Sequence, residues 1–432
     1  MSLEQIENTE GKFINWAGSY EYTSSKLYYP KNVEEVQILV KNLDKLKVLG
    51  TMHCFHGIAD SEENLISLKY LDKVINLDKD TLTVTIEAGI IYGHLAIYLY
   101  KNGFALHNMA SLPHISIAGA CATGTHGSGN KNGNLSSAVR AMEIVTATGD
   151  IITISRDKNY EEFYGMVVHL GGIGVVTKLV LDVQPVYMMK QMVYENLRFD
   201  QLKDHFIDIM SSGYSVSLYT RWQDKMLDQV WIKRRVEHGK ENDYDTELFG
   251  AKQAKENRNP VFGMSAENTT DQCGIVGPWH ERLPHFKLDH TPASYGLELQ
   301  CEYFVDLDKA YEAMMAVETL HDEITPHLWE SEIRTIAADN FWMSPFYKRP
   351  SVAIHFLWKQ DFDAARKLML KIEEKLEPFK AIPHWGKLFM VEPGKFKEFY
   401  PKLPDFVNLC KKYDPNGKFR NKFLDNFVFN NA

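Results

Sequence analysis

Residues 111–130 read SLPHISIAGACATGTHGSGN. From Ala118 to Gly129 every side chain is small except that of His126, and four residues are glycine: Gly119, Gly124, Gly127 and Gly129. Such a run lets backbone amides approach a ligand without side chains in the way. Exposed amides along a tight path also make a nest for phosphate oxygens. A flexible Gly/Ser linker is the bland alternative. Against it, Ile115, Ile117 and Ala118 lead into the run from an apolar side, where a linker would be polar throughout. The run is not the GxGxxG of a βαβ dinucleotide fold, because no strand precedes it at the right place and no acidic residue follows at the expected distance.

Outward from this run, residues 1–186 alternate helix-period and strand-period segments. Val33, Val36, Val40 and Leu43 follow helical spacing after a cap at Asn32. A short apolar run at 47–50 precedes the loop VLGTMHCFHG at 48–57, where Gly50 allows a tight turn and His53 projects. LTVTIEAG at 82–89 alternates as a strand, and YGHLAIYLYKNG at 92–103 reads as a helix stopped by Gly103. AMEIVTATGDIITIS at 141–155 reads as two strands joined at Thr148-Gly149-Asp150. A helix near 159–170 leads to Gly171-Gly172-Ile173-Gly174 and the strand VVTKLVLDVQP.

Residues 187–380 have another texture. Strands are expected at 215–222, 229–236, 297–305, 328–338 and 351–358, with helices at about 200–212, 308–324 and 361–378. That pattern predicts an antiparallel sheet with helices on one face. The polar stretch 237–290 reads as a long excursion over the surface or a pocket. From 381 the chain holds a short strand, helices and the turn Asp414-Pro415-Asn416-Gly417. The fold class is therefore α+β, in a chain of 432 residues that suits two or three domains.

Composition narrows the function. The net charge of −9 argues against nucleic acid or anionic membrane as the main partner. No apolar run approaches a membrane span. The N-terminus MSLEQIENTEGKF has no signal-like apolar stretch, so a cytoplasmic protein is expected. Five scattered cysteines without a CxxC pair suit reduced thiols and give no metal site. The oligomeric state is left open, and a monomer is compatible with the sequence.

Three further positions stand out by periodicity. Glu332 and Arg334, two apart on an expected strand, face one side, as do Ser351, Ala353, His355 and Leu357 on the next. Val352, Ile354, Phe356 and Trp358 form the opposite, core-facing side. By pattern alone the blander readings lead: a surface ion pair for Glu332–Arg334, a satisfied core histidine for His355 and a structural role for His53. Lys387 has no pattern-based claim.

The blocks VLG-x-x-H-x-F, NMASLPHIS, ATGTHGSG, GPWHERLPHF, EIRT-x-AAD, PHWGK and DP-x-GKF together resemble the alditol (xylitol/sorbitol) oxidases. These are vanillyl-alcohol-oxidase-type flavoproteins of the aldonolactone oxidase branch. The resemblance runs from about residue 15 to 425. It implies a PCMH-type FAD-binding domain at 1–186, a substrate-binding cap at 187–380 and a C-terminal segment, 381–432, returning to the FAD domain. It also implies covalent FAD on His53 and a pyrophosphate loop of Gly50, Thr51, Met52, Cys54 and Phe55. Further FAD contacts are implied at Ser111, Ser116, Gly119, Ala122, Thr123, Gly124, His126, Gly127, Gly129, Gly174, Val175 and Val176. Ser111, Gln300, Glu332, Arg334, His355 and Lys387 match residues around the polyol.

Two departures fall in the first loop, usually G-x-G-H-S in this family: Met52 replaces a glycine, and Cys54 a serine. Methionine cannot take φ > 0 cheaply, and a thiol is a weaker hydrogen-bond donor than a hydroxyl. Leu357 stands where the family pattern has threonine. The implied reaction takes a terminal primary alcohol of a polyol to an aldose by hydride transfer to flavin N5, with O2 reduced to H2O2. Arg334 and Lys387 would stabilise the alkoxide, Glu332 would hold Arg334, and His355 would accept the proton. The rival reading within the family is an aldonolactone oxidase or dehydrogenase. A non-catalytic flavin-binding protein is the rival from another class, with Met52 as its supporting feature.

Overall fold

The strand-and-helix alternation of the first part builds two small sheets. In one, Lys26–Tyr28, Asn64–Ile66 and Leu46–Val48 run parallel, with Asn8–Glu10 antiparallel at the edge. The other has five antiparallel strands in the order Val74–Asp78, Thr83–Glu87, Val175–Asp182, Val139–Val145 and Ile151–Ser155. The expected hairpin joins the last two strands, with Gly149 at φ +82. A computed structural model describes residues 3–236, 245–290 and 298–431. Helix Val33–Asn42 starts at the expected cap: the Asn32 side chain accepts from the Glu35 N–H at 2.8 Å. The Glu35 carboxylate accepts in turn from the Lys31 N–H at 2.8 Å, which ties the first turn to the residue before the cap.

Met188 to Pro383 contributes a ten-stranded sheet. Its centre runs Met188–Arg198, Met226–Arg235, Ser215–Thr220, Leu328–Ile336, Ser351–Lys359, Glu298–Asp306, every pair antiparallel. Helices Phe199–Met210, Ala310–Glu318 and Phe362–Leu376 pack against it, each touching the next. Val352, Ile354, Phe356 and Trp358 are wholly buried, as their period-two spacing predicts.

Several elements differ from expectation. The strand Met188–Arg198 has no alternating signature, because it is buried on both sides over most of its length and places Lys190 and Gln191 inside. The helix expected at 308–324 breaks into Ala310–Glu318 and His321–Ile324. Within the 237–290 excursion, residues 245–290 add the short strands Glu247–Leu248, Ala251–Gln253 and Gly277–Pro278 to the large sheet. Residues 237–244, and Leu297 at the head of an expected strand, lie outside the described residues.

The run at 111–130 divides in two. Its first half forms the helix Ile117–Ala122, not an irregular nest, because Ala118, Ala120 and Ala122 are strong helix formers. Its second half is fastened to the large sheet. Gly129 N–H donates to Thr335 O at 2.8 Å, and Ala337 N–H donates to Asn132 O at 2.9 Å. Asn132 Nδ2 donates to Tyr214 O at 3.0 Å, and the Ser128 hydroxyl donates to Val216 O. Gly129 sits at φ +134, and a Cβ there would lie 2.5 Å from Tyr214 O, so no side chain fits.

Candidate active site

One cavity of about 350 Å³ is walled on one side by the 47–176 segments and on the other by the large sheet. On the first side, Gly50, Thr51, Met52, His53, Cys54 and Phe55 all reach it. Ser111, Ser116, Gly119, Ala122, Thr123, His126, Gly174 and Val176 reach it too. Gly124, Gly127, Gly129 and Val175 are absent from that wall: Gly127 packs on Met109 O and Asn108, and Gly129 belongs to the joint with the sheet. Gly50 and Gly119 both face the Ser116 hydroxyl. A Cβ on either would come within 2.8 Å of Ser116 Oγ, so a side chain at either position would force the hydroxyl aside.

The His53 ring stacks on Trp16 with centroids 5.3 Å apart. Its Nδ1 meets Thr51 Oγ1 at 3.1 Å, while Nε2 is buried without a partner. Burial lowers the imidazole to about 4, so it is neutral at physiological pH. Met52 does take φ +59, the left-handed conformation that the family's glycine would hold freely. The strained loop is held from outside: Trp16 N–H donates to Met52 O at 2.9 Å, Asn15 Nδ2 to Cys54 O at 3.1 Å and Phe55 N–H to Gly386 O at 3.0 Å. The Cys54 thiol is pushed up to about 12 by burial, so it stays protonated.

The sheet side is a polar ladder on three strands. Phe304, Ala353 and Arg334 stand opposite one another, then Glu302, His355 and Glu332, then Gln300, Leu357 and Glu330. Glu332 and Arg334 are a buried ion pair, not a surface one. Glu332 Oε1 accepts from Tyr219 at 2.8 Å, His285 Nε2 at 2.8 Å and Arg334 Nε at 2.5 Å. Burial raises this carboxyl, but Arg334 and His285 outweigh burial and hold it well below its usual range. Burial opposes the Arg334 charge, and Glu332 more than restores it. Arg334 also donates to Ser111 Oγ, which links the ladder to the head of the 111–130 run.

Lys387 donates to Glu302 Oε2 at 2.8 Å, and His126 Nε2 lies 3.3 Å from Glu302 Oε1. Burial works against the charged form of Glu302, but Lys387 and His126 keep it well below the usual carboxylate range. His126 thus contacts a carboxylate of the sheet wall directly. His126, Glu302 and His384 bring ligand-type atoms within 4.8 Å of one another. They do not form an open metal set: Lys387 already neutralises Glu302, and His384 Nδ1 accepts from the Gly386 N–H, which leaves the proton on Nε2.

His355 is buried and neutral, lowered to about 3 by burial and by Lys387. Gln300 Nε2 donates to Glu298 Oε1, so its Oε1 is left to accept from His355 Nε2 at 3.2 Å. The network therefore assigns the proton to Nε2 and the lone pair to Nδ1, which has no partner.

Sequence reasoning passed over Glu298, Glu302 and Glu330, although the same period-two argument reaches them one step from Gln300 and Glu332. His285 and Tyr219 give no such signal. His285 arrives on a loop and is held by Lys233, whose Nζ donates to Leu283 O and Pro284 O and lies 3.1 Å from His285 Nδ1.

A family profile described as an FAD binding domain matches residues 25–155, and one described as D-arabinono-1,4-lactone oxidase matches residues 298–427. The chain is 41% identical over 416 residues to an alditol oxidase from a Streptomyces species, covering 95% of this chain and 97% of the relative. It is 24% identical over 454 residues to the mouse L-gulonolactone oxidase, covering 97% and 98%. A solvent-stable cholesterol oxidase superposes with a TM-score of 0.79 at 14% identity, over 98% of each chain, and shares the fold.

Proposed function

The chain belongs to the alditol oxidase family, in the FAD-dependent branch that includes the aldonolactone oxidases, and on that premise we propose how its cavity works. The protein binds FAD and oxidises polyols with dioxygen as acceptor. The lactone oxidases are more distant relatives. The cofactor fits the 47–176 side. The glycine notch around Ser116 leaves backbone bare there, and His53 Nε2 is a buried nitrogen with no bond made. We assign FAD binding to residues 1–186 with 381–432, and the substrate wall to 187–380. Bound FAD supplies the hydride acceptor and returns the electrons to dioxygen, giving hydrogen peroxide. A neutral His53 is the form able to bond the flavin covalently.

The observation that carries the reading is a pair of cations on the cavity wall, each locked to its own buried carboxylate: Arg334 to Glu332 and Lys387 to Glu302. A binding protein has no need of two such pairs, whereas an alkoxide-forming step does. Arg334 and Lys387 lower the cost of the negative oxygen that develops on the terminal carbinol. His355 Nδ1, neutral and unpartnered, accepts the hydroxyl proton. Ser111 and Gln300 orient the chain of hydroxyls. The product is an aldose.

Five unpaired thiols suit a reducing compartment, which supports the cytoplasm. Among the described residues no helix is long and apolar enough to cross a membrane. Anaerobic xylitol or sorbitol should bleach the flavin, and readmitted air should restore the colour with formation of peroxide. A panel in which only lactones bleach it would move the substrate to that class.

A further inference from the structure

One step along the ladder from His355 lies a row with one unmet polar atom, on Glu330. Of its three members, Gln300 is committed to Glu298 and His355, and Leu357 has no polar atom to offer. Glu330 is 6% exposed, lines the cavity, and has no partner for Oε2. Its Oε1 is 3.9 Å from His355 Nδ1, too far for a direct bond. A buried polar group without a partner is costly and calls for an explanation. Two unmet groups at this spacing suit two neighbouring hydroxyls of one chain, the reacting one on His355 Nδ1 and the next on Glu330.

We propose that Glu330 binds the hydroxyl adjacent to the carbinol being oxidised and so selects substrates with vicinal hydroxyl groups. The assignment rests on the polyol reading above. Burial, reinforced by Glu332, pushes the Glu330 carboxyl well above its usual range and so favours the protonated form, which can both donate to and accept from a hydroxyl. An ammonium group on the substrate would suit an ionised carboxylate better, but burial disfavours that form of Glu330.

The test compares glycerol with 1,3-propanediol, which lacks only the middle hydroxyl. Anaerobic rapid mixing of the purified flavoprotein gives the second-order rate of flavin reduction for each. A site that leaves one buried group unpaired without that hydroxyl should favour glycerol by about 10–100-fold. Glu330→Ala should bring the ratio within about threefold, because nothing is then left unpaired by the missing hydroxyl. Glu330→Gln, which keeps the shape and can still donate and accept, should retain most of the preference. The visible flavin spectrum of each variant checks that the site has folded. Failure of every polyol to reduce the wild-type flavin would overturn the polyol reading and this one together. Reduction with an unchanged ratio in Glu330→Ala would overturn this one alone, as would a preference for an amino-alditol over its parent polyol.

Discussion

Glu332→Gln is the substitution that separates a carboxylate holding Arg334 in place from one that merely adjoins it. Glutamine keeps the volume, removes the charge and presents an NH2 among the donors Tyr219, His285 and Arg334, which need acceptors. At the 2.5 Å separation from Arg334 Nε, Coulomb attraction with an effective dielectric of about 20 is about 7 kcal/mol. Desolvation offsets part of that, and removal of one partner from a buried pair costs about 3–5 kcal/mol. For a chain of 432 residues, an unfolding entropy of about 2.1 cal/mol/K per residue converts about 4 kcal/mol into a fall in Tm of about 4–5 °C. The assay is thermal unfolding of the holoenzyme, wild type against variant, across pH. Because the folded Glu332 carboxyl lies below its ordinary 4.5, its contribution is complete above that value and is lost as pH falls toward the folded value. The gap in Tm should therefore be full at pH 7 and narrow below about pH 4.5. A gap under about 1 °C at pH 7, or one that does not depend on pH, would refute the role given to Glu332.

Lys387→Ala removes one of the two cations facing the alkoxide and should slow flavin reduction by about 10²–10³-fold, read by stopped flow; an unchanged rate removes Lys387 from the chemistry. His53→Ala should release the yellow colour into the supernatant on acid precipitation, while the wild-type pellet keeps it; colour in both wild-type fractions would exclude a covalent bond. His169, which also lines the cavity, His285 and His355 are each held at about 3 by burial, first of all. The unfolded chain takes up their protons below about 6.5 and the folded chain does not, so stability falls by about 2 kcal/mol per ring at pH 5. A Tm that stays constant between pH 7 and 5 would mean that these rings are charged inside the fold.

What the sequence discloses follows from which signals are periodic. The strand face holding Val352, Ile354, Phe356 and Trp358 is legible because one side is wholly apolar. The same periodicity places Glu332 beside Arg334 and His355 on the cavity side, but it does not tell a buried pair from a surface one. Lys387 has no periodic context, and only its block, PHWGK, draws attention to it. Its partner Glu302 lies 85 positions away in the chain. The strand Met188–Arg198 is hidden because burial on both sides erases the alternation. The glycine run misleads in the other direction: a composition that suggests a single ligand nest is spent partly on a helix and partly on a seam.

That seam limits how the enzyme can be altered. The segment that leaves the cofactor side at Gly127 is tied, through Gly129 and Asn132, to Thr335, Ala337 and Tyr214 of the opposite wall. These bonds, most of them main-chain to main-chain, tie the two walls of the chamber together. Spreading the walls for a bulkier substrate would break these bonds. Room carved from cavity-lining side chains leaves the bonds in place, and a variant selected for larger alcohols should carry its changes at the apolar pair Leu357 and Val261 while the seam stays intact.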